Sequence, residues 1–388
     1  MPDRVYLDWN ATTPLRPEAR AAMAAAWDLA GNPSSVHAEG RQARRLVEEA
    51  RAAVAGAIGA PPRNLVFTSG GTEANALALT PGLRRGSGLP AARLLVSAIE
   101  HASVLAGGRF PTEAIGTIGV TRSGLLDLDR LRANLEGGLP ALVSVMLANN
   151  ETGAVQPVAE VAEIVHAAGG LLHVDAIQAF GKIPIDINIL NADLVTLSAH
   201  KIGGPKGVGA VILAEGVQGL EPLLRGGGQE LGRRAGTENV TGIVGFGAAV
   251  KAAIGCLDGD AIRLENLRNR LEKGLGQTRG LIVFAEGVPR LPNTTLFTVP
   301  GMRAETAVIG FDLEGIAVSS GSACSSGKVQ PSHVLKAMGF APELAQGAVR
   351  LSLGWSTSSA DIDRCLEAWR KLAGTLLKGC DETLLERF

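Results

Sequence analysis

Cysteine is scarce in this chain. Four occur in 388 residues, at positions 256, 324, 365 and 380, and no two form a C-x-x-C pair. That spacing excludes a disulfide framework and the usual zinc sites, and it fits a reducing compartment. An excess of charge of either sign is also missing: 37 basic residues face 38 acidic ones, for a net charge of −1. Without a basic balance there is no electrostatic case for nucleic acid or an anionic membrane surface as partner. Long apolar runs are absent too. "ALVSVMLA" is too short to span a bilayer, and Lys251 interrupts the longer "GIVGFGAAVKAAIGCL", whose small residues read as a close-packed helix. The N-terminal "MPDRVYLDWNATTP" lacks the apolar core of a secretory leader, so a cytoplasmic protein is expected. Two nucleotide signatures are lacking. No G-x-x-x-x-G-K-[ST] occurs, and no G-x-G-x-x-G follows a first strand with an acid at the usual offset.

What the chain does have is apolar material, 46% of it, and 50 glycines without a fixed period. A sizeable core with many tight turns is implied, and a repeat or fibre is not. Residues 39–58 carry apolar side chains at helical spacing. Short apolar runs then alternate with helical segments. "NLVFTS", "RLLVSAI", "ALVSVMLA", "LLHVDAI" and "DLVTLS" read as strands, and "GGTEANALAL" and "VAEVAEIVHAAG" as helices. Strands alternating with helices predict an α/β fold with a mainly parallel sheet covered on both faces. After about residue 255 the pattern loosens into shorter strands and a long last helix. The expected division is a large α/β domain over 13–255 and a smaller α+β domain from 1–12 and 256–388.

Ligands of an open parallel sheet bind beyond the carboxyl ends of its strands. Five predicted strand ends carry polar residues: Ser69-Gly70-Gly71-Thr72, Glu100-His101, Asn149-Asn150, Asp175 with Gln178, and Ser198-Ala199-His200-Lys201. Each has an ordinary reading. The glycines and Thr72 make a capped turn, Asp175 caps a helix, His101 is a satisfied core ring, and Lys201 is a solvated loop residue. Together they match the needs of pyridoxal phosphate: an amine for its aldehyde, an acid for its ring nitrogen and a cradle for its phosphate. Lys201, Asp175 and the Gly71-Thr72 helix start fill those roles in order, with Ser198 and His200 beside the phosphate and His101 against the ring.

At this point the chain resembles the cysteine desulfurases of the NifS/IscS type, within the class-V aminotransferase-like group of fold-type-I pyridoxal-phosphate enzymes. The blocks "YLDWNATTP", "VFTSGGTEANALAL", "EHASVL", "NNETGAVQP", "HVDAIQAFGK", "SAHKIGGPKGVGA", "GGGQELGRRAGTEN", "SSGSACSSG" and "VRLSLGW" fall in the family order and run nearly end to end. The resemblance implies that Lys201 carries the cofactor. It implies that Asp175 meets the ring nitrogen, Gln178 the ring hydroxyl, and Asn150 and His101 the cofactor itself. Gly71, Thr72, Ser198 and His200 would hold the phosphate. Thr237 would reach the phosphate of a second subunit, which implies a homodimer. Asn10 and Arg350 would bind the substrate carboxylate. Cys324 would take sulfur from L-cysteine as a persulfide, leaving L-alanine, for delivery to a sulfur acceptor or iron–sulfur scaffold protein. The alternatives on the same fold are a selenocysteine lyase, a cysteine-sulfinate desulfinase or an aminotransferase. Outside enzymes, the alternative is a non-catalytic sulfur-assembly partner. Cys256 and Cys365 lie in apolar helical patterns and read as packing.

Overall fold

The structure is a computed structural model that describes residues 4–321 and 331–376. Its centre is a seven-stranded sheet of Leu65–Thr68 (β1), Arg93–Ser97 (β2), Ile115–Ile118 (β3), Ala141–Met146 (β4), Leu171–Asp175 (β5), Leu194–Ser198 (β6) and Gly209–Leu213 (β7). The strand order is β1-β7-β6-β5-β4-β2-β3. Six strands share one direction, and only β7 runs against its neighbours β1 and β6. The α/β expectation holds. The reversed strand β7 is an addition to it, since "GVGAVIL" follows a glycine loop and carries no helix before it.

The strands are apolar without a break because both faces are covered. On β2, Leu94 and Val96 enter one core and Leu95 the other. On β4, Leu142 faces the first and Val143 and Val145 the second. Period-two alternation puts successive side chains on opposite faces, so a doubly buried strand reads as a continuous run. The helix Val240–Gly255, whose sequence resembles a membrane segment, buries Ile243, Phe246, Ala249 and Val250 in the same core. It lies so close to the helix Ala38–Gly56 that a Cβ on Gly247 would stand 2.8 Å from the Ala50 Cα. Among the described residues no single helix is long and apolar enough to cross a membrane.

A second core joins the two ends of the chain. Val5 and Leu7 pack with Leu271, Phe297, Phe311 and Trp369. Val5–Tyr6 pairs in parallel with Ile316–Ala317. Beside them Ile282–Val283, Thr294–Thr298, Val349–Ser352 and Ser319–Ser320 form a four-stranded antiparallel sheet in that order. This second body brings Arg350 and the residues after Tyr6 over the carboxyl ends of the large sheet.

Candidate active site

The segments that leave β1, β2, β4, β5 and β6 line one cavity of about 300 Å³. On one side the helix Gly71–Ala78 starts at its wall. Gly70 before it has φ +155°, a conformation that suits only glycine. A Cβ on Gly71 would come within 2.4 Å of the Ile177 Cδ1 and fill the space that the helix start leaves open. The Ser198 Oγ is buried beside it without a hydrogen-bond partner among the described residues. Thr72 and His200 line the same wall. The Nδ1 of His200 lies 3.1 Å from the Thr12 Oγ1. Burial, with Lys201 and Lys206 nearby, pushes its ring down to about 4. At neutral pH this ring offers hydrogen bonds and no charge. An orphaned hydroxyl, free helix N–H groups and a glycine that admits no side chain fit a phosphate ester.

Opposite stands Asp175, at the end of β5 and buried. Its Oδ1 accepts from the Ile177 N–H at 2.9 Å and its Oδ2 from the Asn75 Nδ2 at 2.9 Å. Asn75 closes a directed chain. The Thr196 hydroxyl donates to the Asn75 Oδ1 at 2.6 Å, so it must accept from the His173 Nε2 at 3.1 Å. The His173 Nδ1 then accepts from the Ser144 hydroxyl at 2.8 Å. Every donor in this chain points toward Asp175. Burial pushes the Asp175 carboxyl upward. The Ile177 and Asn75 hydrogen bonds, with the fields of His101 and Lys201, act against that push. A cationic ring nitrogen at the cavity is the partner such a carboxylate lacks. Burial and the charge of Asp175 hold the neighbouring Glu100 well above the usual carboxylate range, so that Asp175 is the charged member.

Asn75 also donates to the Ser103 Oγ at 2.9 Å, and that hydroxyl lies 2.7 Å from the His101 Nδ1. The same Nδ1 accepts from the Ser103 N–H, so His101 caps the short helix Ala102–Leu105. Burial lowers the His101 ring below its ordinary value. The proton of the neutral ring therefore sits on Nε2. The cap and the place at the cavity wall go together.

Lys201, in the turn after β6, donates to the carbonyls of Asn10 and Ala11. Gln178 and Asn150 also line the cavity. Arg350 reaches it from the second body with 1% of its surface exposed. Its Nη2 donates to the Asp8 Oδ1 at 2.7 Å and its Nη1 to the Asn150 carbonyl at 3.0 Å. Its Nε is buried without a partner among the described residues. The guanidinium thus keeps one unspent donor. Asn10 is differently placed: both hydrogens of its amide are engaged, with the Thr294 Oγ1 at 2.9 Å and the Asn150 carbonyl at 3.2 Å. One cavity therefore holds the Lys201 amine, the buried Asp175 carboxylate, the Gly71–Thr72 helix start with Ser198, and the Arg350 guanidinium.

Residues 5–365 match the family model for class-V aminotransferases. The chain belongs to the class-V aminotransferase family. Enzymes of this family depend on pyridoxal phosphate, and the cavity suits that group on the orphaned hydroxyl and the glycine cradle alone. A cysteine desulfurase of Cereibacter sphaeroides is 47% identical over 94% of each chain. The cysteine desulfurase IscS of Dictyoglomus turgidum is 40% identical over 96% of this chain and 95% of its own. Among solved structures, a NifS-like protein from Rickettsia africae superposes with a TM-score of 0.87 at 37% identity, covering 96% of this chain and all of its own. SspA, solved in complex with cysteine, superposes with a TM-score of 0.72 at 30% identity over 90% of this chain and 98% of its own.

One residue named from the sequence lies elsewhere, and another is outside the described residues. Thr237 is exposed and lines a separate cavity of about 200 Å³ with Ser69 and Gly236, so this chain does not bring it to the others. Cys324 falls outside the described residues, as does Cys380. Cys365 is buried, which pushes its thiol up to about 12, while Cys256 is exposed at the end of its helix. Sequence reasoning missed Asn75, His173, Asp8 and Lys182. Asn75 had a signal, an amide inside the apolar helical run "EANALAL". For Asp8 and Lys182, partners more than a hundred residues away decide the role.

Proposed function

We propose that this chain is a pyridoxal-phosphate-dependent cysteine desulfurase that converts L-cysteine to L-alanine. One observation carries the reading: Lys201, Asp175 and the Ser198 hydroxyl, which has no partner among the described residues, meet in a cavity that Arg350 also lines with an unspent Nε donor. The desulfurase relatives, and the cysteine held by SspA, favour this substrate over the other reactions of the family.

Lys201 would hold the cofactor, Asp175 its ring nitrogen, Gln178 and Asn150 its ring oxygen, and Gly71, Thr72, Ser198 and His200 its phosphate. When bound, pyridoxal phosphate supplies a carbonyl carbon for the substrate amine and a ring that draws electrons from the α-carbon. Arg350 binds the substrate carboxylate and turns the α-hydrogen toward the amine of Lys201, which takes that proton. His101, neutral with its proton on Nε2, is placed to pass protons at the substrate side. The hydrogen-bond-donating end of the Ser144–His173–Thr196–Asn75 chain, the Asn75 amide, keeps Asp175 ionised and oriented. Cys324 is the sulfur acceptor in this reading, on the resemblance of "SSGSACSSG". Its thiol and L-cysteine become a Cys324 persulfide and L-alanine: an S–S bond forms as the substrate C–S bond breaks. The two sulfurs are oxidised, and the carbon keeps the electron pair and gains a proton. Thr237 would complete the phosphate site of a partner copy, so the working form is a homodimer. A sulfur acceptor or iron–sulfur scaffold protein is the onward partner, and the cytoplasm is the compartment.

The test is to incubate the purified protein with L-cysteine and a thiol, without a keto acid. Equal amounts of alanine and sulfide support the proposal. Alanine that appears only with a keto acid makes the chain an aminotransferase, and no alanine from a protein with a visible cofactor band refutes the substrate.

A further inference from the structure

The loop after β5 turns at Gly181, with φ +71°, and leaves Lys182 lining a separate space of about 40 Å³ that shares Lys201 with the cavity. Lys182 is 9% exposed. No carboxylate lies within ion-pair reach of it among the described residues. Burial, together with the positive fields of Lys201 and Arg350, holds its amine well below the ordinary lysine range. For stability alone an apolar side chain of that length would serve better, because a buried amine without a counter-ion is costly. Something other than folding accounts for a lysine there.

Its hydrogen bonds say what. The Nζ donates to the Gln178 Oε1 at 2.9 Å and to the Asn10 Oδ1 at 2.8 Å. A primary amide has one acceptor end and one donor end of nearly equal size, so its orientation is set by its neighbours. Lys182 meets each amide with an N–H, and so favours the oxygen of both amides on its own side. The Gln178 Nε2 is left to the other side, where one hydrogen goes to the Asn10 carbonyl at 3.0 Å. The second hydrogen remains for the cavity that Gln178 lines. For Asn10, the Asn293 Nδ2 supports the same orientation from 3.2 Å, and its donor end meets Thr294 and Asn150. Among the described residues, Gln178 has Lys182 alone on its oxygen.

We propose that Lys182 is a positioning residue that locks the Gln178 amide with its N–H toward the cavity, and so sets the donor that meets the ring oxygen of the cofactor. This rests on the cofactor reading above. Without Lys182 only the Asn10 carbonyl, at 3.0 Å from the Nε2, still opposes a turn of the amide, and the molecules that turn present a carbonyl oxygen to another oxygen.

The test uses Lys182→Met, Gln178→Leu and the double variant, each as full-length holoenzyme. It reads the dissociation constant of pyridoxal phosphate, the position of its visible band, and the thermal midpoint of the cofactor-free protein. Lys182→Met should weaken cofactor binding about tenfold and shift the band, the effect of losing one well-placed hydrogen bond. Its cofactor-free midpoint should match or exceed that of the parent. The double variant should bind no worse than Gln178→Leu, since both changes remove the same donor. Should Lys182→Met fold poorly, Lys182→Gln keeps one donor for Gln178 and should bind the cofactor more tightly than Gln178→Leu. Unchanged affinity and band in a folded Lys182 variant would overturn the proposal. So would losses that multiply in the double variant, or a fall in midpoint with no change in binding. A parent protein that forms no band at all would instead sink the cofactor reading itself.

Discussion

Replace Arg350 with methionine, which keeps length and apolar bulk and removes every donor. The structure sets two separate costs. The first falls on folding. Arg350 is buried and pairs with Asp8, whose side chain keeps 21% of its surface. Stripping a fully buried pair of one partner costs about 3–5 kcal/mol. Asp8 can hydrate, so a loss of about 2 kcal/mol is expected here. The second cost falls on the substrate. A hydrogen bond to a charged group is worth about 1.5–3 kcal/mol. At about 1.4 kcal/mol per tenfold, losing one such bond lowers kcat/KM roughly 10- to 150-fold. The loss should lie mainly in KM, because the carboxylate is held alike before and during reaction. The assay is alanine formation over a range of L-cysteine concentrations, with the visible cofactor band recorded on the same sample. Asp8→Asn is the control. It frees the Nη2 of Arg350 from its internal partner, so KM should stay level or fall, and adding it to Arg350→Met should restore most of the lost stability. If Arg350→Met binds its cofactor and keeps kcat/KM within about threefold, then Arg350 is not the carboxylate clamp and the open Nε means something else.

Further outcomes are expected. Gly71→Ala puts a Cβ 2.4 Å from the Ile177 Cδ1, so it should weaken cofactor binding by tenfold or more while the cofactor-free protein stays folded; unchanged affinity by fluorescence titration would argue against a phosphate at this helix start. His173 is buried, which pushes its ring from 6.5 down to about 3. The unfolded chain therefore takes up a proton below about pH 6.5 while the folded one does not, so its share of stability is full above that pH and is lost between about 6.5 and 3. The stability gap between the parent and His173→Gln, from denaturant titrations, should narrow by about 2 kcal/mol between pH 7.5 and pH 5, and a gap that ignores pH contradicts the buried neutral ring. Asn75→Leu breaks the links to Asp175, Ser103 and Thr196 at once, and it should cost several kcal/mol of stability and shift the cofactor band; an unshifted band would detach Asp175 from this chain. Cys324→Ser should keep the cofactor band and form no persulfide on digestion and mass analysis, and a persulfide found on another cysteine would move the acceptor there.

How much was legible in advance follows from where the information lies. Asp175 and Lys201 stand out because each ends a short apolar run, and an apolar run that stops at a charge marks a strand end. The turn "SGGTEAN" shows its helix start for the same local reason. Strand β7 did not stand out, since it follows glycines and pairs antiparallel with strands on both sides, one of them more than a hundred residues earlier. Lys182 carries no signal of its own: nothing within its segment tells that Asn10 will lie 2.8 Å from its amine.

The order of apolar runs and polar ends carried the α/β architecture and most of the residues at the cavity, because burial period and strand-end chemistry are written in neighbouring positions; the family came from the resemblance of the ordered blocks. Tertiary structure alone decided which polar atoms find partners. The directed chain from Ser144 to Asp175, the unspent Nε of Arg350 and the two amides met by Lys182 all depend on groups brought together from distant segments. Hydrogen-bond direction is a property of such meetings, and no single stretch of sequence contains it.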